Sequence, residues 1–162
     1  MVTINLAVTV PLNPPGAPHP LIAPAQAWAG LVRKARRPQD FVPVVKGCAV
    51  TSETPTQIAA EVYFHPGVEH ALAIKEVCTL RAPSRLDYAM EGGSTAVNIV
   101  SRTPAGDLML TFVFEWAHPD VAEGSEKAAE VEQGHLCVAT KAVQNTAMTI
   151  RRLAAAGELG SS

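Results

Sequence analysis

Residues 42–116 read as an unbroken series of short strands, and this series constrains the fold more than any other feature of the sequence. Turn-forming residues interrupt it at short intervals, as at Pro66-Gly67, Gly92-Gly93 and 104–107. These intervals are too short to hold crossover helices, so consecutive strands are expected to pair antiparallel. We predict six strands, at 43–52, 57–64, 72–82, 85–91, 94–103 and 107–116.

One further strand and two helices flank this series. Apolar and polar residues alternate over 1–12, which predicts a half-buried strand. The stretch 11–24 holds six prolines and is expected to be a connector. A helix is predicted over 25–37, and a second, much longer helix over 120–156, with Asp120 or Ser125 as alternative caps.

The two predicted helices carry different surfaces. A solvated end is favoured for the basic C-terminus of the first helix, and contact with an acidic partner or a lipid headgroup is the alternative. That basic cluster comprises Arg33, Lys34, Arg36 and Arg37. Steps of 100° along the second helix define an apolar face, which we expect to cover the apolar side of the sheet. This face comprises Leu136, Ala139, Val143, Ala147 and Ile150.

The composition excludes several classes of protein. With 162 residues and 48% hydrophobic content, the chain fits one folded domain over 1–157, followed by a flexible tail at 158–162. A net charge of −2 argues against nucleic-acid binding, and no apolar run is long enough for membrane insertion. Three widely spaced cysteines and the lack of a secretory signal favour the cytoplasm. The oligomeric state stays open, with a dimer as one alternative.

Several motifs, taken with this order of elements, resemble one family. They are Ile4-Asn5-Leu6, Pro11-Leu12-Asn13-Pro14-Pro15, Trp28-Ala29-Gly30-Leu31, Lys34-Ala35-Arg36, Gly92-Gly93-Ser94, Asn98-Ile99-Val100-Ser101, Leu110-Thr111-Phe112-Val113-Phe114-Glu115-Trp116, His118-Pro119-Asp120 and Glu123-Gly124-Ser125. In these motifs the chain resembles the fungal AtaL-like family of the SRPBCC superfamily, which also contains START domains and polyketide cyclases. The resemblance covers almost the whole chain.

The resemblance implies an α+β helix-grip fold, in which a curved antiparallel sheet of about seven strands wraps around a long C-terminal helix. It also implies a cavity between sheet and helix that holds an apolar small molecule. Members occur among fungal secondary-metabolite genes and share no single known reaction, so no catalytic residue is carried over from the family.

Four residues are candidates for catalysis. Glu76 alternates in phase with the apolar residues of its strand, which points its carboxyl group inward, and burial would raise its pKa toward the range of a general acid or base. A bulge that leaves Glu76 at a wet edge is the alternative. Tyr88 is expected inward, either to orient a ligand or as an ordinary core residue. Arg102 could pair with Glu76 or a ligand anion if the Asn98 face is inward, but an exposed Arg102 near the Pro104 turn is the favoured alternative. His135 is either a proton shuttle or a solvated residue.

The candidate ligand contacts centre on one strand that is rich in aromatic residues. Phe112, Phe114 and Trp116 share a face by their period of two, so they form either a pocket wall or plain core beneath the helix. Cys78 is expected to be a small core residue beside the pocket, because no base for a nucleophilic role is evident. The full set of predicted contacts is Phe112, Phe114, Trp116, Met90, Asn98, Cys78, Leu136 and Val143.

These residues predict a hydrophobic small-molecule ligand and no cofactor. His65, Glu69 and His70 match no zinc spacing, so no metal site is expected. We expect a cofactor-free enzyme of natural-product biosynthesis that performs cyclisation, isomerisation or proton transfer. The alternatives are a carrier of a hydrophobic metabolite or lipid without chemistry, and a protein-interaction module.

Overall fold

The computed structural model describes residues 1–67 and 72–160, and it contains one curved antiparallel sheet. The seven strands are β1 (Val2–Pro11), β2 (Val45–Thr54), β3 (Gln57–Phe64), β4 (Ala73–Arg81), β5 (Arg85–Met90), β6 (Thr95–Arg102) and β7 (Leu108–His118). They lie in the order β1-β7-β6-β5-β4-β3-β2, so each strand of 42–116 pairs with its neighbour in sequence. The predicted antiparallel sheet is confirmed. The strands pair in this way because the turns between them are too short to hold crossover connections.

The helices are α1 (Pro24–Arg36), a short 3-10 helix (Pro38–Asp40) and α2 (Glu126–Ala155). At the start of α1, the Gln26 side chain accepts a hydrogen bond from the Ala23 amide at 2.9 Å. The Ser125 hydroxyl caps α2 by accepting from the Ala128 amide at 3.1 Å. Ser125 is therefore the cap and Asp120 is not, and α2 begins six residues after the predicted position 120.

The strand register places the inward-facing residues of the sheet in rows that run across it. Glu76 of β4 lies opposite Met90 of β5. The next row joins Cys78, Tyr88, Ala96 and Phe114, and a further row joins Leu86, Asn98 and Phe112. The side chains of one row are close neighbours on the concave face, so β4 to β7 bring their inward residues together.

The two halves of α2 are packed differently. Its C-terminal half is buried against the sheet and α1 through Ala139, Val143 and Ile150. Helices α1 and α2 approach so closely that a Cβ on Gly30 would lie 2.6 Å from Ile150 Cγ1. In the N-terminal half, the side chains of Glu132 and Leu136 are exposed.

The prediction that Leu136 points inward is wrong, because Leu136 is 40% exposed. The buried residues of α2 follow an arc that runs through Ala128, Ala139, Thr146, Ile150 and Leu153, and the half-buried His135 lies on its flank. Leu136 lies on the other flank of this arc. On that side, no element of the described part of the chain buries its side chain.

The residues after α2 pack against α1. Glu158 forms an ion pair with Arg33 at 2.6 Å, Leu159 is buried, and the Gly160 carbonyl accepts from Gln26 Nε2 at 3.3 Å. This differs from the flexible tail predicted for 158–162, because Leu159 supplies apolar surface to the core. Residues 161–162 lie outside the described part of the chain.

The connector between β1 and α1 is tied to α2. Asn13 exchanges two hydrogen bonds with the Ile22 backbone, at 2.8 and 2.9 Å. Arg151 donates to the Leu12 carbonyl and, at 3.2 Å, to Asn13 Oδ1. None of the helices within 1–67 and 72–160 combines the length and apolarity needed to span a bilayer.

Candidate functional site

A partly open cavity of about 130 Å³ lies between the concave face of the sheet, the end of α1 and the segment that follows α1. Among the described residues, its lining combines nine apolar and four polar side chains. The apolar ones are Pro38, Val42, Val45, Val62, Phe64, Ile74, Met90, Ala96 and Phe114. The polar ones are Lys34, Glu76, Tyr88 and Asn98. The cavity is therefore bounded on the helix side by α1 instead of α2.

Lys34 extends into the inner end of this cavity. Its Nζ donates to Asn98 Oδ1 at 3.1 Å and lies 5.1 Å from the ring centroids of both Tyr88 and Phe112. Burial lowers the pKa of the Lys34 ammonium, although the negative charge of Glu76 acts in the opposite direction. The favoured prediction of a solvated helix end is therefore wrong for Lys34.

Glu76 lies on the opposite wall of the cavity, where the alternation of β4 directs it inward. Burial raises the pKa of its carboxyl group, and the Lys34 ammonium partly offsets that shift. Within the described part of the chain, no atoms of Lys34 and Glu76 approach to ion-pair distance. The site thus holds an acid and a base that influence each other across an open space.

Tyr88 and Cys78 face each other across the β4–β5 pair. The Tyr88 hydroxyl is buried and has no hydrogen-bond partner of ordinary geometry among the described residues. Burial raises the pKa of Tyr88 well above its usual value and raises the pKa of Cys78 to about 12. Cys78 therefore stays a thiol. Its sulfur is a weak hydrogen-bond partner of the Tyr88 hydroxyl, and a ligand oxygen in the cavity can replace it.

Arg102 does not belong to this site. The Asn98 face of β6 is indeed inward, and Asn98 is 1% exposed, but Arg102 at the end of the strand is exposed. The Met90 amide bonds to the Ser94 carbonyl, so Glu76 lies beside the other end of β6. Eight residues separate Ser94 from Arg102, which is about 26 Å of strand. Arg102 is therefore exposed near the Pro104 turn, as the favoured alternative predicted, and its assignment as a catalytic candidate that pairs with Glu76 is wrong.

The aromatic residues of β7 form a stack that continues onto α2. Phe112 packs edge-on against Phe114 with centroids 6.1 Å apart, and Phe114 stacks on Trp116 at 4.5 Å. Trp116 in turn stacks on His135 at 4.0 Å. Only Phe114 of this group lines the cavity, whereas Phe112 is buried beneath Lys34 and Trp116 lies farther along β7.

His135 also meets His118, the next inward residue of β7 after Trp116. Their Nε2 atoms are 2.7 Å apart, so one ring donates the hydrogen bond and the other accepts it. His135 does not line the cavity, and its imidazole instead attaches α2 to the end of β7.

The other residues predicted to contact the ligand fall into two groups, those that line the cavity and those that do not. Met90 and Asn98 line the cavity, whereas Val143 is fully buried in the core between α2 and the sheet, and Leu136 is exposed. Within 1–67 and 72–160, no group of three or more histidine, cysteine or acidic side chains is placed to hold a metal. Glu69 and His70, two of the three residues considered for a metal, lie outside the described residues.

Five of the thirteen described residues that line the cavity were predicted from the sequence and eight were missed, of which Lys34 is the one with a titratable group. Lys34 shares one helical face with Ala27, Gly30 and Leu31 at steps of three and four, but its place in a basic cluster favoured the solvent. His118 was also missed. It contacts α2 outside the cavity and continues the period of two along β7, a strand that ends two residues later than predicted.

Comparisons with known proteins agree with this fold. The family described as "AtaL: Acetylaranotin biosynthesis cluster protein L" matches residues 6–157. A curated protein of Aspergillus terreus, "Acetylaranotin biosynthesis cluster protein L", is 30% identical over 159 residues, which cover 97% of this chain and 94% of that protein.

Solved structures show the same architecture at low sequence identity. The Zhui aromatase/cyclase of a Streptomyces species aligns with a TM-score of 0.73 and 13% identity, covering 96% of this chain and 99% of that one. The di-domain aromatase/cyclase StfQ from the steffimycin pathway aligns at 0.69 with 11% identity, covering 94% of this chain and 52% of its own. The helix-grip fold is therefore confirmed.

Proposed function

Because the chain belongs to the AtaL family, we propose that it serves natural-product biosynthesis as a cofactor-free enzyme that holds a metabolite in its cavity and moves a proton on it. The ligand is an apolar or polycyclic small molecule, and the reaction class is cyclisation, isomerisation or proton transfer. Aromatase/cyclases with the same fold support this proposal through their shape.

The observation that carries the proposal is the unpaired Glu76 inside the cavity. A buried carboxyl group is costly unless it is paired or used, and Glu76 faces Lys34 across a gap instead of forming an ion pair. A core built only for packing would hold an apolar residue there. Burial also raises the pKa of Glu76, which brings it toward the range where a carboxyl group exchanges protons near neutral pH.

The size of the cavity limits how a ligand is held. A space of about 130 Å³ is smaller than the 300 Å³ or more of a typical drug-sized site, but a cavity of about 150 Å³ can hold a benzene ring. We infer that one ring of the ligand enters between Lys34 and Glu76. The rest of a polycyclic ligand projects through the open side, or the cavity widens to take it.

In this arrangement Glu76 takes a proton from a carbon beside a ligand carbonyl and returns it at another position. The electrons of the broken C–H bond form a C=C bond, and the carbonyl oxygen gains negative charge. The Lys34 ammonium and the Tyr88 hydroxyl are the donors in the cavity that can stabilise that oxygen. Return of the proton, or attack by the new carbon nucleophile within the ligand, gives isomerisation or ring closure.

A carrier without chemistry is the second candidate, and the apolar character of most of the lining favours it. A carrier needs no acid or base, so it predicts that Glu76 can be neutralised without consequence for the ligand. The two candidates therefore differ in what happens to a bound ligand when Glu76 is replaced.

Deuterium exchange into β-tetralone, a ring ketone with acidic C–H bonds, tests the proposal. In heavy water the wild type should accelerate exchange, and Glu76→Gln should lower that acceleration by about 10²–10⁴-fold, the usual contribution of a general base. Proton NMR follows the exchange, and saturation transfer from the protein reports binding in the same tube. Glu91→Gln is the matched control, since Glu91 is exposed and outside the lining.

Retained binding with lost exchange in Glu76→Gln supports the enzyme. Unchanged exchange in Glu76→Gln, or bound β-tetralone that no form of the protein exchanges, contradicts proton transfer by Glu76 and favours the carrier. Absence of binding to every form contradicts the assignment of the cavity to ring ketones.

A further inference from the structure

Lys34 differs from the other lysines of the chain. The sequence contains five, and the remaining four, Lys46, Lys75, Lys127 and Lys141, are all exposed. Of these five lysines, Lys34 is the one that lines the cavity described above, where the open space lies between it and Glu76. A lysine held for stability is normally paired with a carboxylate, but no described carboxylate lies within ion-pair distance of Nζ.

The surroundings of Nζ act on its charge in opposite directions. The Asn98 oxygen at 3.1 Å and the two rings at 5.1 Å favour the ammonium, and so does Glu76. Burial opposes them and is the largest effect, so the pKa of Lys34 falls below its ordinary value. The other titratable groups beside it, Cys78 and Tyr88, are held neutral by burial. A larger share of this amine is therefore uncharged and nucleophilic than in the exposed lysines.

We propose that Lys34 is a covalent site, at which the amine condenses with an aldehyde or ketone carbonyl of a ring-bearing ligand to form an imine. The proposal goes beyond proton transfer by Glu76, but it uses the same cavity and the same Glu76 and Tyr88 side chains. Its chemical basis is an amine, a carboxyl group and a phenol hydroxyl that border one cavity.

The condensation balances without an oxidant or a reductant. The neutral amine attacks the carbonyl carbon, a C–N bond forms, and the C=O π electrons move to the oxygen, which the Tyr88 hydroxyl is placed to bind. Protonated Glu76 gives its proton to that oxygen, and the Glu76 carboxylate then takes a proton from nitrogen, which gives a carbinolamine and restores the acid form of Glu76. Glu76 then protonates the carbinolamine hydroxyl, water leaves as the C=N bond forms, and the remaining N–H proton returns to Glu76. The net reaction joins amine and carbonyl and releases one water.

Reductive trapping with para-fluorobenzaldehyde and cyanoborohydride tests the proposal, since a single-ring aldehyde suits a cavity of about 130 Å³. Cyanoborohydride reduces the imine to a stable benzylamine, and peptide mass spectrometry gives the labelled fraction at each lysine. In one sample the four exposed lysines serve as internal references. We expect Lys34 to carry the largest labelled fraction of the five lysines at pH 7, because its lowered pKa raises its free-amine fraction and the cavity holds the aldehyde beside it.

Two further measurements separate this proposal from the proposed function. Fluorine NMR with para-fluorotoluene, which has no carbonyl group, reports occupancy of the cavity without covalent chemistry. The variant Lys34→Met removes the nucleophile and keeps an unbranched side chain, so it should still bind para-fluorotoluene and should lose the labelled peptide. A circular dichroism melt shows whether each variant is folded.

Labelling of Lys34 no greater than that of the exposed lysines, in a protein that binds para-fluorotoluene, overturns the covalent site and leaves proton transfer by Glu76 intact. Wild-type protein that binds neither probe overturns the covalent site as well, and it also contradicts the cavity on which the proposed function rests. Preferential labelling of Lys34 in the wild type supports the covalent site even where β-tetralone exchange fails.

Discussion

Cys78 lies directly beside Tyr88 but does not line the cavity, contrary to its predicted ligand contact, and its environment makes it chemically inert. Burial raises its pKa to about 12, so at pH 8 about one Cys78 thiol in 10⁴ is a thiolate, against about one in ten for a thiol at the ordinary value of 9.0. Cys137 is exposed on α2, and Cys48 is partly exposed with a pKa raised by burial. With iodoacetamide at pH 8, we expect Cys137 to react first, Cys48 more slowly, and Cys78 only after unfolding.

Peptide mass spectrometry of time points, with a sample in guanidinium as the fully reactive reference, measures these three rates. Labelling of folded Cys78 at a rate near that of Cys137 would show a thiol that is open to solvent and ionised. Such a result would restore the nucleophilic role that the structure argues against.

Alternation along a strand carries more information about single residues than position along a helix does. Successive strand residues point to opposite faces, so Glu76 and Tyr88 could be placed inward from sequence, because their in-phase neighbours are apolar. Asn98 could not be placed, because both faces of its strand carry apolar residues. Lys34 required knowledge of which side of α1 meets the sheet, because a basic residue near a helix C-terminus is favourable in solvent as well. The role of each of these residues stays a prediction.

At the scale of elements, the contact between α1 and α2 depends on a glycine. A Cβ at Gly30 would lie 2.6 Å from Cγ1 of Ile150, a branched and fully buried side chain that has little room to move. We predict that Gly30→Ala destabilises the protein by about 1–3 kcal/mol through overpacking, although alanine is the better helix former. Urea unfolding followed by circular dichroism measures the change.

Gly134→Ala is the matched control for this prediction, because Gly134 lies in α2 with no atom within 4 Å of the added Cβ. There alanine should stabilise the protein by about 0.5–1 kcal/mol. The double variant Gly30→Ala, Ile150→Ala should lose less stability than the sum of the two single variants, because it removes the Ile150 Cγ1 atom that meets the added Cβ. Equal effects of alanine at positions 30 and 134 would show that the two helices are not in close contact at Ile150.

The sequence indicated most element boundaries to within one or two residues, because glycine and proline mark the turns between strands. The start of α2 was harder to predict, since Asp120 with Glu123 resembles a cap while the structure uses Ser125. The inward face of α2 was correct where the helix is covered, at Ala139, Val143 and Ile150, and wrong at Leu136, where one flank is uncovered. A helical arc can be counted from sequence, but the extent of the surface that covers it cannot.

At the scale of the molecule, the clustered aromatic residues of β7 form a wall of the interior. This wall does not face an open space under α2. Ala139 and Val143 are fully buried, so the region beneath the C-terminal half of α2 is filled. The open volume lies instead beside α1, and the aromatic stack of β7 runs from that cavity at Phe114 to the N-terminal half of α2 at His135. The stack therefore links the ligand cavity to the less buried half of the long helix.

This division predicts that α2 opens in two parts. The half before Ala139 attaches to β7 through the stacked Trp116–His135 pair and the His118–His135 hydrogen bond, while the half after it is buried. In hydrogen exchange with mass spectrometry, amides of 128–137 should exchange faster than those of 142–153.

His118→Ala should accelerate exchange in the first segment and leave the second unchanged, because it removes the contact of His135 with the end of β7. Thr111→Val, which removes the Thr9–Thr111 hydroxyl contact on the outer face, should affect neither segment of α2. Uniform protection of α2, or an equal response of both segments to His118→Ala, would show that the helix moves as one unit. A ligand wider than the present cavity would then have to enter by a route other than the opening of the N-terminal half of α2.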